Sequence, residues 1–261
     1  MDRTAYDRFS ERLHQRLAAD ERVLGLVALG SMSGEPPPDE WSDHDFFVIT
    51  RPGEQERMRT GLSWLPDGEQ IVLAYRETAH GVKVLYRDAH LLEFAVFDPE
   101  ETSVARINRF RVLLDRGGID ERMRALRERT SRDLADRRPD PLWSSGQMLT
   151  ALLVGAGRYR RGERVAGRAL VQTAANHLAQ LLALAVPSQN ARALDTLDPL
   201  RRFEKAHPRL GRELDEALGN PPAEAALRLL RIALRELPQR IAEFPAQAAR
   251  AVEASIEAAT R

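Results

Sequence analysis

The sequence predicts an α+β protein in two parts, an N-terminal α/β domain built on a mixed sheet of about five strands and a C-terminal helical bundle. Three observations lead there. Short apolar runs separated by Gly-containing or polar turns fill the chain up to Pro99. No convincing strand pattern follows that proline. From residue 144 onward, apolar positions recur at i, i+3 and i+4. The domains are expected at 1–120 and 121–261, with the boundary inside the Arg- and Asp-rich stretch 115–142, which ends in "RRPDP".

Taken in order, Tyr6, Phe9, Leu13 and Leu17 recur at helical spacing with charges between them, so residues 3–19 predict an amphipathic helix. "RVLGLVALG" predicts a buried strand ending at Gly30, and "FFVIT" a second strand stopped by "RPG". A helix over 53–63 is expected next, then three strands in "QIVLAYR", "VKVLYRD" and "HLLEFAVFD". In the second half, "SSGQMLTALLVGAGRYRRG" and "RVAGRALVQTAANHLAQLLALAVP" carry helical patterns, the latter through Val171, Ala174, Leu178, Leu181 and Leu182. "DPLRRFEKAHPRLGRELDEALGN" predicts a helix capped by Asp198 with Pro199 at its first position, stopping at Gly219-Asn220. The last forty residues predict helices interrupted at Pro238 and Pro245.

Lys plus Arg and Asp plus Glu both total 39, so no bulk field holds nucleic acid or an anionic membrane, and neither is an expected partner. Lysine occurs only at Lys83 and Lys205. The absence of Cys excludes thiolate metal sites, disulfides and a Cys nucleophile, and fits a reducing cytoplasm. A charged N-terminus and the lack of any apolar stretch near ~20 residues give no signal peptide or membrane span. A soluble, cytoplasmic protein is expected.

The chemistry concentrates in "LGSMSGEPPPDEWSDHDFFVIT", residues 29–50. Side chains two apart share a strand face, so Asp43 and Asp45 project together while His44 points away. Glu93 is the one charge within "LLEFAVF" and shares its face with Leu91, Ala95 and Phe97, so it is expected to be buried with a partner. Three converging carboxylates, without Cys or a paired-His motif, suit a hard cation bound through oxygen, and Mg²⁺ is the natural candidate. Because Mg²⁺ completes its octahedron with waters and substrate phosphates, a nucleotide is the expected second ligand. Gly30 lets a phosphate approach the backbone, and the Ser31 hydroxyl can donate to it. Ser42, beside Asp43, is a further candidate for orienting a phosphate, and Lys205 a candidate phosphate contact. Arg160, Arg164 and Arg168 are expected along one helix face, either solvated or clamping a triphosphate. Competing readings are a polar turn for Asp43 and Asp45, and for Glu93 an ion pair with Lys83 or Arg87.

Gly30-Ser31, then after eleven intervening residues Asp43-His44-Asp45, and a later strand bearing Glu93 together resemble the DNA polymerase β-like nucleotidyltransferase superfamily. The resemblance is strongest to bacterial aminoglycoside and other antibiotic nucleotidyltransferases with a "WSDHD"-like block, and it covers about residues 20–100. Two departures stand out: His rather than an apolar residue between the aspartates, and "GEPPP" after the Gly-Ser turn. The resemblance implies that Asp43 and Asp45 hold the metals, that Glu93 completes the site or acts as general base, and that Gly30-Ser31 contacts the triphosphate. It also implies the reaction: transfer of a nucleoside monophosphate, AMP from ATP in the preferred case, to a hydroxyl of a small molecule such as an aminoglycoside, which would confer antibiotic resistance. Glu77, Asp98, Glu100 and Asp195 are available to line a site for a cationic acceptor. Two alternatives stay open: a protein or RNA acceptor, as in toxin–antitoxin nucleotidyltransferases, and a nucleotide-binding module without turnover.

Overall fold

A computed structural model describes residues 2–34, 37–136 and 140–258, and divides the chain into two compact units at Asp133/Leu134. The division falls inside the 115–142 stretch, whose "RRPDP" end lies largely outside the described residues, as do two residues of "GEPPP".

In the first unit the N-terminal helix, α1 (Arg3–Ala19), has its expected bounds, and Asp2 caps it by accepting from the Ala5 N–H at 2.8 Å. Its buried residues are Tyr6, Phe9, Leu13 and Leu17, the predicted apolar stripe. Full burial of side chains such as Leu13 and Leu17 contributes roughly 2 kcal/mol each. The strands are β1 (Val23–Leu29), β2 (His44–Thr50), β3 (Ile71–Arg76), β4 (Gly81–Tyr86), β5 (Leu91–Phe97) and β6 (Phe110–Asp115), with the short helix α2 (Gln55–Thr60) between β2 and β3. They form one mixed sheet in the order β3-β4-β5-β2-β1-β6; β2 and β5 run parallel and the other neighbours antiparallel.

The sixth strand corrects the expectation that strands end near Pro99. "FRVLLD" lacks a period-2 pattern because β6 is an edge strand: among the described residues it pairs only with β1, Phe110 opposite Leu29 and Arg111 opposite Ala28, and none of its residues is fully buried. Alternation along β5 follows the predicted faces. Leu92, Phe94 and Val96 join the core under α1, whereas Ala95 and Phe97 join a second core with Ile119, Met123 and Leu126 of α3 (Ile119–Asp136).

The second unit is helical: α4 (Pro141–Arg160), α5 (Arg164–Ala185), the single turn α6 (Phe203–Ala206), α7 (Pro208–Leu218), α8 (Pro222–Glu236) and α9 (Ala246–Ala258). Asp140 caps α4, with Pro141 at the first helical position. The two longest helices, α4 and α5, approach closely at a glycine pair: a Cβ added to Gly167 would lie 2.8 Å from the Gly155 carbonyl oxygen. Asp198 caps only a turn, accepting from the Leu200 N–H at 3.0 Å, and the helix starts at Pro208 instead of Pro199. Pro208 takes that role because the chain makes a left-handed turn at Arg202 (φ 63°) and leaves helical geometry at His207 (φ −132°, ψ 68°) before it. No helix among the described residues is long and apolar enough to cross a membrane.

Candidate functional site

Asp43 ends the loop into β2, and Asp45 is the second residue of that strand. Parallel register sets Asp45 opposite Glu93 of β5, so a contact across 48 residues of sequence follows from one strand pairing. One carboxylate oxygen from each of Asp43, Asp45 and Glu93 lies within 4.8 Å of the others, and all three residues are half-buried. The burial expected for Glu93 is therefore corrected: its side chain is 35% exposed. Lys83 of β4, opposite Glu93 in the antiparallel register, places Nζ 2.8 Å from Glu93 Oε1 and 2.9 Å from Glu77 Oε1. Of the two readings of Glu93, ion pair and member of the acidic trio, the structure holds both at once. The two acids drive the lysine's pKa above its usual value, Glu93 contributing most. An oxygen-only, half-open donor set of this spacing fits a hard divalent cation such as Mg²⁺.

The Gly-Ser turn packs against the trio. Gly30 has φ +47°, a left-handed conformation that favours glycine, and a Cβ placed there would meet Asp45 Oδ2 at 2.6 Å. The close approach that requires glycine is thus made by the Asp45 carboxylate, a role the sequence did not disclose. Ser31 follows in a 3₁₀ turn (Gly30–Ser33), and its Oγ is buried beside the Tyr6 hydroxyl.

Behind the strand, His44 points away from Asp43 and Asp45, as expected, into an aromatic cluster. Its ring stacks on Tyr6 with 3.8 Å between centroids, and its nitrogens meet Ser10 Oγ at 2.9 Å and His90 Nε2 at 2.8 Å. Burial, then the neighbouring His90, hold its pKa down to about 3, and burial holds His90 down to about 4. The Tyr6 hydroxyl donates to the Asp43 carbonyl at 3.0 Å, with its own pKa pushed up to about 12 by burial and then by Asp45 and Asp43. This cluster anchors the Asp43–Asp45 segment to α1. Sequence reasoning missed it, although a histidine between two acids whose side chains face the other way is a legible signal for such an anchor.

The remaining candidates are dispersed. The Ser42 hydroxyl is engaged by Asp39, donating to its carboxylate at 3.0 Å and accepting from its N–H at 2.9 Å. Lys205 is exposed on α6 in the second unit. Arg160, Arg164 and Arg168 do not share one helix: α4 ends at Arg160, the chain turns through Gly162 (φ +87°), and Arg164 and Arg168 lie over the Tyr159 ring from α5 at 6.0 and 5.7 Å. The glycine and the "RG" pair break a pattern that otherwise reads as continuous helix. Of the acids considered for a cationic acceptor, Glu77 is engaged by Lys83, and Asp98 accepts from the Glu100 and Glu101 N–H groups. Glu100 is exposed, and Asp195, in the second unit, accepts from the Leu197 N–H.

The chain matches no protein-family model and no curated protein. Among solved structures it is similar to a nucleotidyltransferase-like protein from Exiguobacterium sibiricum 255-15, with 12% sequence identity, 97% of this chain and 89% of that chain covered, and a TM-score of 0.33. A likeness that shallow carries no argument about activity.

Proposed function

We propose that the protein is a Mg²⁺-dependent nucleotidyltransferase that moves a nucleoside monophosphate, AMP from ATP in the preferred case, onto a hydroxyl of a small molecule, with aminoglycoside-type antibiotics as the leading acceptors. The observation that carries the reading is the meeting of Asp43, Asp45 and Glu93 within 4.8 Å, oxygen to oxygen, with the Gly30-Ser31 turn packed against Asp45.

Asp43 and Asp45 would hold the cation. When bound, magnesium neutralises the triphosphate and stabilises the entering and departing oxygens. Ser31, whose Oγ is buried beside the Tyr6 hydroxyl, would donate to a phosphate oxygen. Glu93 would take the proton of the attacking hydroxyl. The acceptor oxygen then forms a bond to the α-phosphorus as the bond to the bridging oxygen breaks; that electron pair leaves with pyrophosphate, and the proton rests on Glu93. No covalent enzyme intermediate is needed.

Incubation of the full-length protein with α-labelled ATP, Mg²⁺ and an aminoglycoside panel should label a small product. Asp45→Asn should lower the rate by roughly a hundredfold or more and leave thermal stability largely unchanged. Transfer that survives this change would refute the metal role of Asp45, and label appearing only in macromolecules of a cell lysate would refute the small-molecule acceptor.

A further inference from the structure

Asp45, Glu93, Lys83 and Tyr75 stand in one row across four neighbouring strands: Asp45 is paired with Glu93, Glu93 with Lys83, and Lys83 with Tyr75. Directly paired residues share a face of the sheet, so register alone puts an ammonium on the same surface as the site carboxylates. Its nitrogen is shared almost evenly, 2.8 Å from Glu93 and 2.9 Å from Glu77.

Such an arrangement has an electrostatic consequence. A Glu93 oxygen engaged by an ammonium is less open to a cation, and a divalent ion among Asp43, Asp45 and Glu93 would repel the lysine. Glu77 gives the lysine a second berth already within reach. Lys83 is 22% exposed and Glu77 48% exposed, so an exchange between the two acids opens no core. A lysine is suited to that role, being a compact charge on a flexible stem with no fixed fork to satisfy.

Resting on the nucleotidyltransferase reading, we infer that Lys83 is the resident counter-ion of the carboxylate site: it bridges Glu93 and Glu77 while no divalent cation is present and withdraws to Glu77 alone as one enters. It is a positioning residue that sets cation affinity by competition. A lysine that merely held Glu93 in place would have the opposite effect, because its removal would loosen the site.

The test is a titration of the full-length protein with Mn²⁺ alone, free ion being read by electron paramagnetic resonance. Removing a positive charge beside a divalent ion in a water-like dielectric changes affinity by about tenfold, so Lys83→Met should tighten Mn²⁺ binding by that factor. Glu77→Gln should weaken binding severalfold, since the ammonium loses its second berth, and Lys83→Arg should stay near wild type. Asp45→Asn, by removing binding, assigns the ion to this site. Unchanged or weaker binding in Lys83→Met overturns the inference while leaving the metal site standing. Should Lys83→Met fail to fold, the exposed Glu77→Gln decides: unchanged or tighter binding there overturns it equally. Absence of any Mn²⁺ binding by the wild-type protein would remove the metal-site reading itself.

Discussion

Replacing Gly30 by alanine imposes two costs that can be separated. The first is backbone strain, since an alanine at φ +47° sits in the left-handed region at about 1–2 kcal/mol. The second is steric: the new methyl would lie 2.6 Å from Asp45 Oδ2, and relieving such overpacking costs about 1–3 kcal/mol. Gly30→Ala should therefore destabilise the first unit by about 2–5 kcal/mol in the wild-type background. In an Asp45→Ala background, where the clashing carboxylate is gone, it should cost only the strain, about 1–2 kcal/mol. The difference, a coupling of at least about 1 kcal/mol, is what a double-mutant cycle measures. Urea unfolding followed by tryptophan emission suits the assay because Trp64 is 7% exposed within the first unit's core, whereas Trp41 and Trp143 are 89% and 56% exposed and change little. Equal costs of Gly30→Ala in both backgrounds would show that Asp45 does not rest on the glycine, and the account of the turn would fall.

Two further outcomes are expected. His44 and His90 are held neutral, at about 3 and about 4, below the ordinary 6.5, so between those values the unfolded chain binds more protons and stability falls as pH falls; above pH 6.5 the contribution is level. Each imidazole should cost up to ~1.4 kcal/mol per pH unit within that window, and denaturant unfolding from pH 7 to 5 should show a slope that His44→Gln flattens; an unchanged slope would count against the buried pair. In the second unit, Gly167→Ala should cost about 1–3 kcal/mol, because its Cβ would lie 2.8 Å from a backbone oxygen of the facing helix that cannot rotate away; thermal unfolding of the variant checks this, and no loss of stability would refute the close approach.

Much of the fold is legible locally. Tyr6, Phe9, Leu13 and Leu17 mark the buried stripe of α1, and the alternation in "LLEFAVF" assigns both faces of β5, because burial is written into the sequence as a period of 3.6 or 2. The strand β6 is not legible in this way: half-buried at the edge and interrupted by Arg111, it carries no period to read. Helix starts are equally ambiguous where two prolines compete, as Pro199 and Pro208 do.

Sequence by itself determined that Asp43 and Asp45 project to one side, that His44 opposes them, and that Glu93 is the odd charge in an apolar run, since each is a matter of neighbours a few residues apart. Whether Glu93 reaches the aspartates, whether Lys83 reaches Glu93, and that Gly30 lies beneath the Asp45 carboxylate were decided only by tertiary structure. Those contacts depend on strand order and register between segments far apart in the chain. A slip of one residue would turn every one of these side chains to the opposite face, and no local pattern of charges encodes which register the packed cores will select.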